Sequence, residues 1–195
     1  MGEPKRLNRL YDVPRMKWNK QKIKADNKII NDYGLKRKKE IWKAETMVRN
    51  YRKKARLLLA GRVDDYATRK DELLNRLIRL GIFTKDHKIE DVLKISANDV
   101  LDRRLQTLVF RKGLSLTPTQ ARQLITHGHI LVNGKIRKTP SSLIYKDDSI
   151  SYSNTKIKNE IEKSIETKGK SFVPKEDKSK VDLDSKKEET KEVKE

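Results

Sequence analysis

The chain of 195 residues has no cysteine. Disulfides, thiolate metal sites, iron–sulfur clusters, a cysteine nucleophile and zinc-ribbon chemistry are therefore excluded. Its eight glycines are scattered as helix stops and turns, and none forms a phosphate-cradling loop. Histidine occurs only at His87, His127 and His129. His127 and His129 flank Gly128 but lack a third ligand, because Asp147 and Asp148 belong to another turn, so no metal is expected. No apolar run approaches the ~18 residues of a membrane span. Residues 1–18 are basic without the apolar stretch of a secretory signal. Asp99 and Asp102 lie three apart on one helix, but Asp99 fits a helix-N-terminal charge better than acid–base work. The expectation is a soluble intracellular protein that is not an enzyme, with no cofactor, no small-molecule substrate and no membrane partner.

Positive charge is what the sequence has in excess. Lys and Arg number 48 against 28 Asp and Glu, for a formal net charge of +20. Hydrophobic residues are only 34%, and charged residues reach 39% against about 25% in ordinary chains. The excess is uneven. Residues 1–60 hold 19 basic and 6 acidic side chains, and residues 101–153 hold 9 and 3. Residues 61–100 balance at 8 and 8, and the lysine-rich stretch 154–195 nearly balances at 12 and 11. Like charge at this density repels itself unless a polyanion screens it. Basic residues recur on every face of 36–56, whereas a membrane-surface helix keeps one face clean for large apolar groups. Nucleic acid is the expected partner.

Periodicity predicts the order of elements. Residues 1–18, with Pro4 and Pro14, read as an extended basic arm. Residues 19–32 suit a helix closed by Gly34. A longer helix is predicted from Arg37 to Ala60, with Ile41, Ala44, Val48, Tyr51, Ala55, Leu58 and Leu59 facing inward. A third covers about 64–80, burying Leu73, Leu74, Leu77 and Leu80, and a helical turn follows at 90–93. Ser96 and Asp99 form a capping box opening a helix that runs to about Lys112, with Val100, Leu101, Leu105, Leu108 and Val109 inward. Thr117 caps the next helix, with Pro118 at its first position and Gly128 beyond its end. Then come a strand at 129–132, an Asn133-Gly134 hairpin turn, a return strand at 135–137, and strands at 142–145 and 149–152. Residues 154–195 carry too few large apolar side chains to offset chain entropy and are expected to be disordered.

The stretch 100–134 pairs two short helices, joined by 113–116, that offer a basic face. A helix-turn-helix DNA reader is the structural rival. The direct run into a hairpin and the missing dimer face favour a monomeric surface for folded RNA, which is read by shape and phosphate position.

The residues Thr117-Pro118-Thr119-Gln120-Ala121-Arg122-Gln123-Leu124-Ile125-Thr126-His127-Gly128-His129-Ile130-Leu131-Val132-Asn133-Gly134 resemble the core of the S-four RNA-binding domain. The preceding run from Leu101 to Thr107 resembles that domain's first helix in the universal small-subunit ribosomal protein family S-four, archaeal and eukaryotic type. Gly2 to Arg6, Tyr33-Gly34-Leu35, Trp42, and the run from Glu45 to Arg52 resemble the same family's N-terminal region, so the likeness spans about 2–153. The domain alone also occurs in pseudouridine synthases and tRNA synthetases; the N-terminal likeness makes the match specific.

The resemblance implies an α+β architecture: a basic extended arm at 1–18, a helical rRNA-binding region at 19–96, the S-four domain of two helices on a small antiparallel sheet at 97–153, and a disordered charged tail at 154–195. It implies a structural protein of the cytoplasmic small ribosomal subunit. Such a protein binds small-subunit rRNA, nucleates assembly of the subunit body, touches neighbouring ribosomal proteins, lies near the mRNA entry region and affects decoding accuracy. The alternative is a precursor-rRNA-binding assembly factor of the small nucleolar ribonucleoprotein type. Family analogy nominates Lys5, Arg6, Arg49, Arg52, Lys53, Arg56, Arg103, Arg104, Arg111, Lys112, Thr117, Gln120, Arg122, Gln123, His127 and Lys135 for RNA contact. On that view, reversing the charge of Arg104 and Arg122 together weakens RNA binding and spares the fold. Some bacterial members carry a cysteine zinc site near the N-terminus, which this chain lacks.

Overall fold

The computed structural model describes residues 10–16, 18–61, 65–84 and 87–154. Lys5, Arg6, most of the predicted arm and all but Asn154 of the predicted tail fall outside them.

Helix α1, Lys20–Tyr33, starts where the Asn19 side chain accepts hydrogen bonds from the Gln21 and Lys22 N–H groups. It ends at Gly34 in the left-handed region. Here glycine is needed twice over, since a Cβ at Gly34 would lie 2.6 Å from the Cβ of Pro118. Helix α2, Lys38–Leu59, buries Ile41, Ala44, Val48, Tyr51, Ala55 and Leu58 at three- and four-residue intervals. Leu59, predicted inward, is 43% exposed, because one residue past Leu58 turns about 100° off the stripe. Helix α3, Tyr66–Arg79, turns Leu73 and Leu77 inward, and Leu80 is buried just past its end. A 3₁₀ turn, Ile89–Lys94, adds Ile89 and Val92. Helix α4, Ala97–Asp102, opens with the predicted capping box: Asp99 N–H donates to the Ser96 hydroxyl, and Ser96 N–H to the Asp99 carboxylate. These elements share one apolar core, running from Leu35 to Leu101.

A second core is made by Leu105, Val109, Ala121, Leu124, Ile125, Ile130, Val132 and Ile144. It lies among α5 (Leu105–Arg111), α6 (Pro118–Thr126) and a three-stranded antiparallel sheet of order β2-β1-β3. The strands are β1 (Ile130–Val132), β2 (Lys135–Ile136) and β3 (Ile150–Tyr152), with Leu131 opposite both Ile136 and Ser151. Asn133 and Gly134 have φ of 51° and 75°, the two positive values that a tight primed hairpin turn demands. The Asn133 side chain also donates to Asp148 and accepts from Ser149 N–H, fastening the turn to the entry of β3.

The continuous helix predicted from Ser96 to Lys112 is in fact two. It breaks at Arg103 and Arg104, where Arg104 is extended at ψ 143°. The segment at 140–144 takes the backbone groups that a continuous helix would use. Leu105 N–H donates to the Ser142 carbonyl at 2.8 Å, and Ile144 N–H donates to the Arg103 carbonyl at 3.0 Å. For the same reason the strand predicted at 142–145 is reduced to one bridge, Leu143 against Arg104. The break falls between the two cores and turns the Arg104 side chain toward α2.

Candidate nucleic-acid interface

The nominated residues divide into those facing solvent and those facing protein. On α2, Arg49, Lys53 and Arg56 are exposed and Arg52 is half-buried. With Lys22 and Glu45, Arg49, Arg52 and Arg56 line an open groove of about 320 Å³ between α1, α2 and the start of α4. Arg49 is paired with Asp12, Arg52 donates to the Ile95 carbonyl, and Lys22 holds Glu45 at 3.4 Å. Lys22 escaped the sequence reading because a lone lysine on α1 carries no signal until α2 is packed beside it.

On the second lobe, Lys112, Gln123, His127 and Lys135 are exposed. Arg111 is exposed but paired with Asp102 at 2.6 Å. Thr117 caps α6 by accepting from Gln120 N–H, while the Gln120 side chain accepts from Leu116 N–H. Arg103 donates to the Gly81 carbonyl and is half-buried. The side chains of Lys53, Arg56, Lys112, Gln123, His127 and Lys135 make no hydrogen bond or ion pair with a described residue. Such donors are available to phosphate oxygens without breaking anything in the protein.

Arg104 and Arg122 are placed differently. Arg104, 6% exposed at the side chain, donates to Glu40 at 2.5 Å. Arg122 reaches both Glu40 oxygens, at 3.2 and 3.3 Å, and the Gln106 side-chain oxygen at 3.4 Å. Burial by itself would raise the Glu40 carboxyl, but the hydrogen bonds from Arg122 and the charge of Arg104 hold it below its ordinary value. Burial draws the Arg104 guanidinium down, opposed by Glu40; it stays charged, as arginine does in proteins. Gln106, 1% exposed, donates from its amide to the carbonyls of Tyr33, Gly34 and Pro118. The Tyr33 hydroxyl donates to Asp102 at 2.8 Å, and burial, then that contact, pushes the phenol well above its ordinary value. The double charge reversal at Arg104 and Arg122 therefore tests more than a surface. It would set two new carboxylates against Glu40 inside the seam between the cores.

Glu40 and Gln106 were not singled out in the sequence. The arginines that Glu40 holds lie 64 and 82 residues away, and the α1 carbonyls that Gln106 holds lie 73 and 72 away; no local pattern announces such pairings.

The S4 domain matches residues 103–150, a stretch that holds α5, α6, β1 and β2 and ends at the first residue of β3. This places the chain among S4-domain proteins. Similarity reaches well upstream of the domain. The small ribosomal subunit protein uS4 of Methanosphaera stadtmanae is 47% identical over 148 residues, 76% of this chain and 81% of that relative. The uS4 protein of Methanothermobacter thermautotrophicus is 43% identical over 165 residues, 83% of this chain and 96% of that relative. That of Methanococcus aeolicus is 47% identical over 155 residues, 78% and 88% of the two chains. The chain belongs to the uS4 family of small ribosomal subunit proteins.

Proposed function

We propose that this chain is a structural protein of the small ribosomal subunit that binds the subunit's rRNA directly, with no catalytic role. The observation that carries the reading is a set of solvent-facing cations on both lobes, chiefly Lys53, Arg56, Lys112 and Lys135, with no protein partner among the described residues. It is supported by a family whose members are named for the small ribosomal subunit. The two α4 carboxylates that could be read as an acid–base pair are occupied by capping or pairing: Asp99 with Ser96, Asp102 with Tyr33 and Arg111. Folded rRNA offers phosphates at set separations, which a rigid cationic surface recognises by shape.

The finer reading follows the same line. The protein binds early and nucleates assembly of the subunit body. It lies near the mRNA entry region beside other ribosomal proteins, affects decoding accuracy, and resides in the ribosomes of the cytoplasm. The arm at 1–18, with Lys5 and Arg6, and the helical region at 19–96 form one part of the RNA surface. The S4 domain at 97–153 forms the other, and residues 154–195 are an appended tail. A sucrose gradient of cell lysate probed for this chain tests the reading. Stoichiometric presence in mature small subunits and polysomes is expected. Restriction to precursor particles would make it an assembly factor, and a position at the top of the gradient at low salt would remove the ribosomal role.

A further inference from the structure

We propose that Glu40 is a positioning residue for RNA binding: its carboxylate locks the two cationic lobes in one relative orientation, so that this acidic side chain is required for selective binding of a polyanion. The inference rests on the RNA-binding reading above and goes beyond it.

Two apolar cores meet across a polar seam. Glu40 stands in the first turn of α2, with its side chain 16% exposed. It accepts from Arg104 at the start of α5 and from Arg122 on α6, two helices of the other lobe. Gln106 reinforces the joint by tying the end of α1 to the start of α6 through main-chain carbonyls. Apolar contacts tolerate sliding, whereas hydrogen bonds between charged groups favour one geometry. One carboxylate shared by two arginines from separate helices therefore sets an angle as well as a distance.

That angle matters because of leverage. Lys53 lies thirteen residues along α2 from Glu40, about 20 Å by helical rise, so a tilt of about 10° at the seam carries it about 3 Å. A displacement of that size equals a whole hydrogen-bond length. Cations on a rotated lobe still attract phosphates in general but no longer meet those of one particular fold. Loss of the lock reduces the binding-competent fraction and raises the apparent Kd for the shaped target alone; a competent fraction of about one tenth means about tenfold weaker binding.

The test uses the full chain and E40Q, an isosteric change that adds one unit to the net charge. Binding is measured at fixed salt to small-subunit rRNA transcribed in vitro and to poly(A)·poly(U) duplex as a shape-independent polyanion. The expected result is a tenfold or greater loss on the rRNA, with duplex binding unchanged or slightly tighter. The absence of native cysteine allows N50C and T139C to carry spin labels, one on each lobe. Their distance distribution should be narrow with Glu40 present and broad in E40Q. Should E40Q fail to fold, E40D keeps the charge, withdraws the carboxylate by one methylene, and carries the same comparison. Equal rRNA binding by E40Q and the parent overturns the proposal and leaves the RNA-binding reading intact. Equal losses on both RNAs also overturn it, because they point to general damage or direct contact. A parent chain that does not distinguish the two RNAs removes the reading beneath it, and the proposal with it.

Discussion

The two lobes commit their arginines to different partners. Along α2, a long helix with one face in the core, Arg49 and Arg56 project to the outside. In the S4 lobe the helices are short, and the chain doubles back at 140–144 across the junction of α4 and α5. Arg103, Arg104 and Arg122 are there spent on a carbonyl and on Glu40. In sequence all of these arginines look alike. Net charge thus reports how strongly a lobe attracts a polyanion, and the fold decides which cations remain to touch it. An arginine in a basic run has two possible employers, and the direction it faces separates them here: Arg56 lies on the outer face of α2, while Arg104 and Arg122 face the seam.

The comparison can be broken most severely from the inside. Leu77 in the first core and Ile125 in the second are both fully buried. Leu77→Ala and Ile125→Ala should each destabilise the chain by about 2–5 kcal/mol in urea titrations. If the seam couples the lobes, each variant lowers the midpoint of a single transition. Two separate transitions, with each substitution moving only one, would mean that the lobes unfold independently.

A smaller effect sharpens the view of the seam. The Glu40 carboxyl lies below its ordinary value of 4.5 in the folded chain. A depressed folded pKa contributes stability that is present above the unfolded value and lost as pH falls through the folded one. The urea midpoint should therefore decline as pH drops below about 4.5. In E40Q that part of the decline should be missing. An identical acid limb in both proteins would assign it to other carboxylates.

The smallest effect separates free cations from committed ones. Arg56→Gln and Lys112→Gln should each weaken rRNA binding modestly and reduce the slope of log affinity against log salt by about 1. Arg104→Gln should lower thermal stability and leave the slope alone. A lowered slope for Arg104→Gln, with stability kept, would place Arg104 among the phosphate contacts and erase the distinction between the lobes.

Most of the helices were legible because their signals are local. The stripe from Ile41 to Leu58 has helical spacing, the Ser96 and Asp99 cap and the Thr117 cap have their partners three residues away, and Asn133-Gly134 declares its own turn. Three of the misses share one cause. The break at Arg103 and Arg104, the loss of a strand at 142–145 and the burial of Arg104 all arise from one long-range docking, and an uninterrupted helix to Lys112 was the best local answer. The candidate interface was legible as a set of positively charged residues, and its inward members were not.

By itself the amino-acid sequence determined the element order, the two basic regions and the family likeness, because spacing, capping and turn chemistry act over a few residues and charge simply accumulates. Only the tertiary structure decided which arginines face solvent, where the long helix divides, and that Glu40 joins the lobes. Those outcomes depend on groups dozens of positions apart competing for the same hydrogen bonds, and that competition is settled only when the chain is packed.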